Sequence, residues 1–225
     1  MPTVIYAFCA IGIILQAVFI VREHKKKYVS AVILKGLASL MFVFIGYLGY
    51  SLTSDTLYTK MILLGLCFGA LGDVLLNLRF LSEKNGQKIF LIGILAFLIG
   101  HILYLVALIP QSDHLVASLI IGVVLAAALL IFIFCKLNVK PAFKVFGVFY
   151  IGAVVLMTTV AVGNLISAPS KNRLLYAIGA VLFTISDIVL IFNTFGKKSK
   201  FSLRITNLAF YYAGQLLIAL SLFFI

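Results

Sequence analysis

The chain has 225 residues, of which 64% are hydrophobic and only 11% charged, with a formal net charge of +12. Soluble domains carry about a quarter charged residues, so that class is excluded and an integral membrane protein is expected. The basic excess raises nucleic acid as a partner, but the placement of the charges, taken below, argues for topology and anionic-lipid contact instead.

In chain order, apolar stretches of spanning length, about 20 residues each, cover 4–21, 29–51, 57–78, 89–109, 115–135, 143–166, 174–192 and 203–225. The expected fold is all-α, eight transmembrane helices in a single integral membrane domain over 1–225. The first stretch has no basic n-region and no small-residue cleavage site, so it reads as a retained helix rather than a signal peptide. Fourteen basic residues fall on the odd loops: Arg22, Lys25, Lys26 and Lys27; Arg79, Lys84 and Lys88; Lys136, Lys140 and Lys144; Lys197, Lys198, Lys200 and Arg204. Only Lys60, Lys171 and Arg173 fall on the even ones. The positive-inside rule then puts the odd loops in the cytoplasm and both termini outside. Pro2, Pro110, Pro141 and Pro169 sit at helix ends or in loops, so the broken helices of many transporters are not expected. Cys9, Cys67 and Cys135 lie within apolar runs at no metal-ligand spacing and read as packing thiols.

Two carboxylates are buried in these runs, Asp73 in the third and Asp187 in the seventh, each eight residues after a glycine, Gly65 and Gly179. An acid in hydrocarbon is costly and marks a functional site by default. The frames match further: Gly100-His101 follows Asp73 and Gly214-Gln215 follows Asp187, each polar residue 28 positions after its acid. The pattern reads as a parallel duplication of four plus four helices with an offset of 114 residues. Gly65, Gly69 and Gly72 fall on one helical side and are expected to press helix 3 against a neighbour and turn Asp73 inward.

At about 1.5 Å per residue, Asp73 lies about 9 Å from Arg79, Asp187 about 15 Å from Lys197 and Lys35 about 12 Å from Lys27. Tyr212, Gln215 and His101 fall about 12, 16 and 19 Å from their nearest odd-loop basic residues. These residues therefore share one band, open towards the odd loops. Each also has a plain structural role open to it. Lys35 can snorkel to headgroups, and His101 and Gln215 can join helices by hydrogen bonds. Tyr104, Tyr211 and Tyr212 can be packing aromatics, Asn77 and Asn193 can be caps, and the aspartates can form a structural ion pair with Lys35.

Gly-Asp-Val-Leu-Leu at 72–76, Gly-His-Ile-Leu-Tyr at 100–104, Ser-Asp-Ile-Val-Leu at 186–190, Tyr-Tyr-Ala-Gly-Gln-Leu-Leu-Ile at 211–218 and Lys35-Gly36 stand in an order that resembles the YhhN family of lysoplasmalogenase-like membrane proteins. The resemblance implies eight membrane helices and, from members with an assigned activity, hydrolysis of the vinyl ether bond of lysoplasmalogens to a fatty aldehyde and a glycerophospho-base. It also implies a bacterial cytoplasmic membrane. The family often has a proline where this chain has Gly36.

The residues suit that chemistry. A vinyl ether is cleaved by protonating its β-carbon, which makes an oxocarbenium ion that water attacks before the hemiacetal collapses. The reaction needs an acid held ready and a negative charge nearby, and two carboxyl groups sharing one proton supply both. Asp73 and Asp187 are the expected catalytic pair, one the general acid, the other stabilising the cation and taking a proton from water. His101, Gln215, Tyr104, Tyr211 and Tyr212 are expected to position the ether oxygen and water, with Asn77 beside Asp73 and Lys35 on the substrate phosphate. No cofactor or metal is expected. The expected partners are a lyso-ether phospholipid and membrane lipids, not nucleic acid; the oligomeric state is open. A zinc hydrolase would want three ligands, and His24 and His114 fall on opposite faces from each other, away from His101. No G-x-S-x-G elbow surrounds a serine. The rival from another class is a proton-coupled transporter or lipid-handling protein using the same aspartates.

Overall fold

The computed structural model describes residues 2–139 and 141–225, without the side chains of Pro2 and Ala142. Lys140, one of the basic residues assigned to the fifth loop, lies outside them. Among the described residues there are eight α-helices and no strands: α1 Pro2–His24, α2 Tyr28–Leu52, α3 Leu57–Leu78, α4 Gly86–Leu108, α5 Leu115–Lys136, α6 Pro141–Ser167, α7 Lys171–Phe195 and α8 Phe201–Ser221. All eight are long and apolar enough to cross a membrane. Short 3₁₀ turns at Arg79–Leu81, Ile109–Gln111 and Leu222–Phe224 tighten the ends of α3, α4 and α8.

Several helices run past the apolar stretches that announce them, because their ends are set by caps rather than by hydropathy. Ser170 accepts a hydrogen bond from Arg173 N–H and starts α7 three residues before the apolar run. Thr56 and Thr59 form a reciprocal capping box at the start of α3. The last expected helix, 203–225, instead begins at Phe201 and gives way to a 3₁₀ turn after Ser221.

Packing follows the repeat. Among the described residues, α2, α3, α4, α6, α7 and α8 form a closed ring in that order, with α1 laid on the outside of α2 and α5 on the outside of α6. Advancing every helix by four reproduces the same neighbours, which is the signature of two like halves about a pseudo-two-fold axis along the membrane normal. Residues on such an axis must touch their own counterparts, and two pairs do. Tyr58 donates to Asn172 Oδ1 at 3.2 Å across 114 positions. Phe97 meets Tyr211 edge to face, ring centres 5.9 Å apart. Most of the ring interior is one continuous core that includes Phe42, Ile62, Leu66, Tyr104, Tyr176 and Phe183. The outward faces carry exposed apolar side chains such as Ile13, Val116 and Ile131, as a bilayer solvent requires. At the even-loop end Asn172 also donates to Ser221 O (2.8 Å), and Arg173 Nη1 to Asn164 O (2.8 Å). Polar links are therefore not confined to the odd-loop half.

Glycine is required where the paired helices touch. A Cβ at Gly179 would lie 2.8 Å from the carbonyl oxygen of Gly214, and the converse distance is the same. In the first half, a Cβ at Gly100 would meet Gly65 O at 3.2 Å. Backbone cannot give way as a side chain can, so Gly179→Ala forces α7 from α8 and should cost about 1–3 kcal/mol. Gly152→Ala, where a Cβ meets nothing within 4 Å, should cost little. Thermal unfolding of the two variants in the same detergent checks this: equal midpoints would contradict the close approach.

Candidate functional site

Asp73 is turned into the ring by the glycine face of α3, where Gly65 fits beneath Tyr104, Gly69 beneath Gln215 and Gly72 beneath Phe97. The Asp73 carboxylate is buried and fully engaged. Lys35 Nζ of α2 pairs with Oδ1 at 3.2 Å; Ser39 Oγ and Tyr211 O–H donate to Oδ2 at 2.5 and 2.8 Å. Lys35 is itself 2% exposed, its ammonium 5.2, 4.7 and 4.8 Å from the ring centres of Phe19, Tyr211 and Tyr212. Cation–π contact and the ion pair together offset part of its desolvation. Tyr212 O–H lies 3.2 Å from Ser39 Oγ and completes this cluster.

Asp187 is held differently. Tyr150 of α6 donates to its Oδ2 at 2.7 Å, and its other oxygen has no protein partner among the described residues. The preceding Ser186 clamps α7 to α8: Asn207 Nδ2 donates to Ser186 O (2.9 Å) and Oγ (2.7 Å), and Ser186 Oγ donates to Asn207 O (3.0 Å). No hydrogen bond joins Asp73 to Asp187 among the described residues, so the expected sharing of one proton is replaced by two separately held acids. Both nonetheless line one cavity, with Asn77, Tyr211, Ser186 and Asn207 among its few polar neighbours. Its enclosed volume is about 100 Å³, and Phe90, Ile94, Phe97, Phe143 and Leu190 make an apolar wall. A lining of that kind suits a ligand part with an apolar body and a few polar groups.

The lining reaches Thr194, Phe195 and Arg204 at the odd-loop end. There Arg204 forms a two-pronged pair with Glu23, Nη2 to Oε1 at 2.7 Å and Nε to Oε2 at 2.8 Å. Its Nη1 has no protein partner among the described residues. The guanidinium of Arg79 sits 4.7 and 4.3 Å from the ring centres of Phe80 and Phe90. Two guanidinium groups thus lie at this end, Arg204 paired with Glu23 and Arg79 against the lining residue Phe90. Among the described residues no three His, Cys, Asp or Glu side chains approach closely enough to hold a metal ion.

The model of the YhhN family matches residues 6–222, nearly the whole chain. The chain belongs to that family. Comparison with curated proteins and with solved structures finds no match. The fold of this YhhN protein thus brings the two acids of its repeat to one cavity, and it sorts the remaining polar residues of the sequence into two groups.

Lys35, Asn77 and Tyr211 line the cavity with the acids, whereas His101, Tyr104, Tyr212 and Gln215 do not. Tyr104 donates to Gln215 Oε1 at 3.0 Å, and Gln215 Nε2 lies 3.5 Å from Tyr211 O–H. They form a buried support behind Tyr211 rather than a surface for substrate. His101 stacks edge-on to Phe183 at 4.6 Å and has neither ring nitrogen hydrogen-bonded among the described residues. Lys35, expected on a phosphate, is committed to Asp73 instead. Asn77 donates to the Asp73 carbonyl one turn back at 3.0 Å, and Asn193 accepts from Lys200 N–H at 2.7 Å, a loop cap. Ser39, Tyr150 and Asn207 join the site without having been singled out, as do Ser186 and Arg204, which the sequence marks only as part of a family motif and as an odd-loop base. Helical spacing gives a signal for two of them: Ser39 follows Lys35 by one turn, and Asn207 stands four and eight residues before Tyr211 and Gln215 on one face of α8.

Proposed function

We propose that this protein hydrolyses the vinyl ether bond of lysoplasmalogens, 1-alkenyl-glycerophosphocholine or -ethanolamine, to a fatty aldehyde and a glycerophospho-base by aspartate acid–base catalysis without a metal. Membership of the YhhN family supports the reaction class. The observation that carries the reading is the unlike surroundings of two acids on one cavity wall. Asp73, facing an ammonium and two hydroxyl donors, is suited to remain an anion; Asp187, with a single donor and one free oxygen, is suited to carry the proton.

In this reading the Asp187 carboxyl gives its proton to the β-carbon of the vinyl ether. The oxocarbenium ion that forms is stabilised by the Asp73 carboxylate. Water adds to the cationic carbon, and the proton it sheds returns to the Asp187 carboxylate, restoring the acid. The hemiacetal then passes its hydroxyl proton to the glycerol oxygen as the carbon–oxygen bond breaks, leaving aldehyde and alcohol. The phosphate is met at the mouth by Arg204, whose Nη1 is unengaged, with Arg79 adding positive charge. The basic odd loops put that mouth on the cytoplasmic side by the positive-inside rule, in a bacterial cytoplasmic membrane on the family reading.

The test is incubation of the purified, detergent-solubilised protein with a panel of lyso-lipids and mass spectrometry of the products. Free aldehyde from the alkenyl lipids, and none from their acyl or alkyl analogues, is the expected outcome. Proton flux in liposomes with no aldehyde would favour the transporter reading instead.

A further inference from the structure

α1 lies outside the helix ring, and the turn that joins it to α2 carries Arg22, Lys25, Lys26 and Lys27. Lys26 has a φ of 56°, in the left-handed region, and is the one non-glycine residue with positive φ among the described residues. Its N–H donates to Glu23 O and the Lys27 N–H to Arg22 O, both at 2.9 Å, the pairing of a Schellman cap whose left-handed position is usually glycine. The chain therefore reverses at once, and the Lys27 backbone is tied back to that of Arg22. Arg22, Lys25 and Lys27 line one open groove of about 420 Å³, floored by Ala17, Val18 and Val21. Among the described residues none of these cations forms an ion pair: Glu23, the one acid between positions 22 and 27, is taken by Arg204. Along α1 the exposed side chains of Ile11, Ile14, Val18 and Val21 recur at helical spacing, so an apolar track runs down the helix and ends at the basic groove.

We infer that this groove is a binding site for one anionic phospholipid, its phosphate among Arg22, Lys25 and Lys27 and a chain along the α1 track. Charge and depth together decide the occupant. Three unpaired cations at the end of a membrane helix favour a head with net negative charge over a zwitterionic one, whose own ammonium they repel. The apolar floor, continuing into the hydrocarbon, favours a lipid over a free anion, because an inorganic phosphate leaves the track unused. The inference does not depend on the hydrolase reading, since the groove lies on α1 and shares no lining residue with the central cavity.

Native mass spectrometry of the full chain in a neutral detergent counts the lipids it keeps. The probes are dioleoylphosphatidylglycerol and dioleoylphosphatidylcholine, alike in their chains and different in charge. Wild-type protein is expected to keep one phosphatidylglycerol at concentrations where phosphatidylcholine is lost, and to keep it in excess inorganic phosphate. A basic residue near an anionic lipid surface is worth about fivefold, so combining Arg22→Gln, Lys25→Gln and Lys27→Gln should weaken that binding roughly a hundredfold. Combining Lys197→Gln, Lys198→Gln and Lys200→Gln removes the same charge from another odd loop and should leave the binding unchanged. All six side chains are exposed, so both variants should melt with the wild type. Equal weakening in the two variants would show diffuse attraction to the whole basic face and would overturn the inference. Equal retention of the two lipids, or displacement of phosphatidylglycerol by inorganic phosphate, would overturn it as well.

Discussion

Asp187→Asn is expected to lower aldehyde release from an alkenyl lysophospholipid by about 10²–10⁴-fold, the usual worth of a positioned general acid, with little change in thermal stability. The side chain keeps its shape, and its amide oxygen still accepts from Tyr150 O–H, so the Tyr150 hydroxyl is not orphaned, while the new amide NH2 takes the place of the oxygen that faces the cavity. What is lost is a proton that can be given to carbon, which no amide supplies. Tyr150→Phe is expected to do less, because it removes only the group that orients the acid. Aldehyde capture with a hydrazine reagent, run beside a melting curve on each variant, separates the two effects. Asp187→Asn protein that melts normally and keeps more than a tenth of the activity would remove Asp187 from the mechanism.

The spans and the two acids were legible because each rests on a local rule: apolar length for a helix, and the cost of a carboxyl group in hydrocarbon for the site. The repeat was legible because Asp73 and Asp187 keep their spacing from Gly65 and Gly179 and from His101 and Gln215, and the helix ring agrees with it. Tyr150 was not legible. It lies in an apolar run with nothing near it in sequence to mark it, and its role is fixed only when α6 packs beside α7. For Lys35 the sequence leaves open a phosphate contact or an ion pair with an aspartate, and the structure shows the pair. Depth along a helix says how far a lysine is from the interface, and not which side chain of the next helix neutralises it. His101 illustrates the same gap, since a matched frame predicts where it sits along α4 but not that Phe183 and Tyr150 enclose it away from the cavity.

Divergence between the two halves explains why the acids differ. Each sits on the third helix of its half and takes a partner from the second helix: Lys35 for Asp73, and Tyr150 for Asp187. Two like halves alone would give two like carboxyl groups, and acid catalysis with a stabilising anion needs unlike ones. One half supplies an ammonium and two hydroxyls and the other one phenol: at the offset of 114 the places of Lys35, Ser39 and Tyr211 hold Phe149, Ala153 and Phe97, none of which can donate, and this divergence separates a charged role from a proton-carrying one.

The same ion pair makes the largest stability prediction. Lys35→Met leaves the Asp73 carboxylate buried with two hydroxyl donors and no cation, and removing one partner of a buried pair costs about 3–5 kcal/mol. Asp73→Asn leaves the Lys35 ammonium buried with only aromatic faces beside it, and should be destabilising on the same grounds. Combined, Lys35→Met and Asp73→Asn remove both charges at once, and most of the lost stability should return, a coupling read from a double-mutant cycle of unfolding in one detergent. The double variant should nevertheless release no aldehyde, because the anion that stabilises the oxocarbenium ion is gone. A pair retained only for folding would behave otherwise: the restored double variant would turn over normally, and Asp73 would then be a structural residue and not a catalytic one.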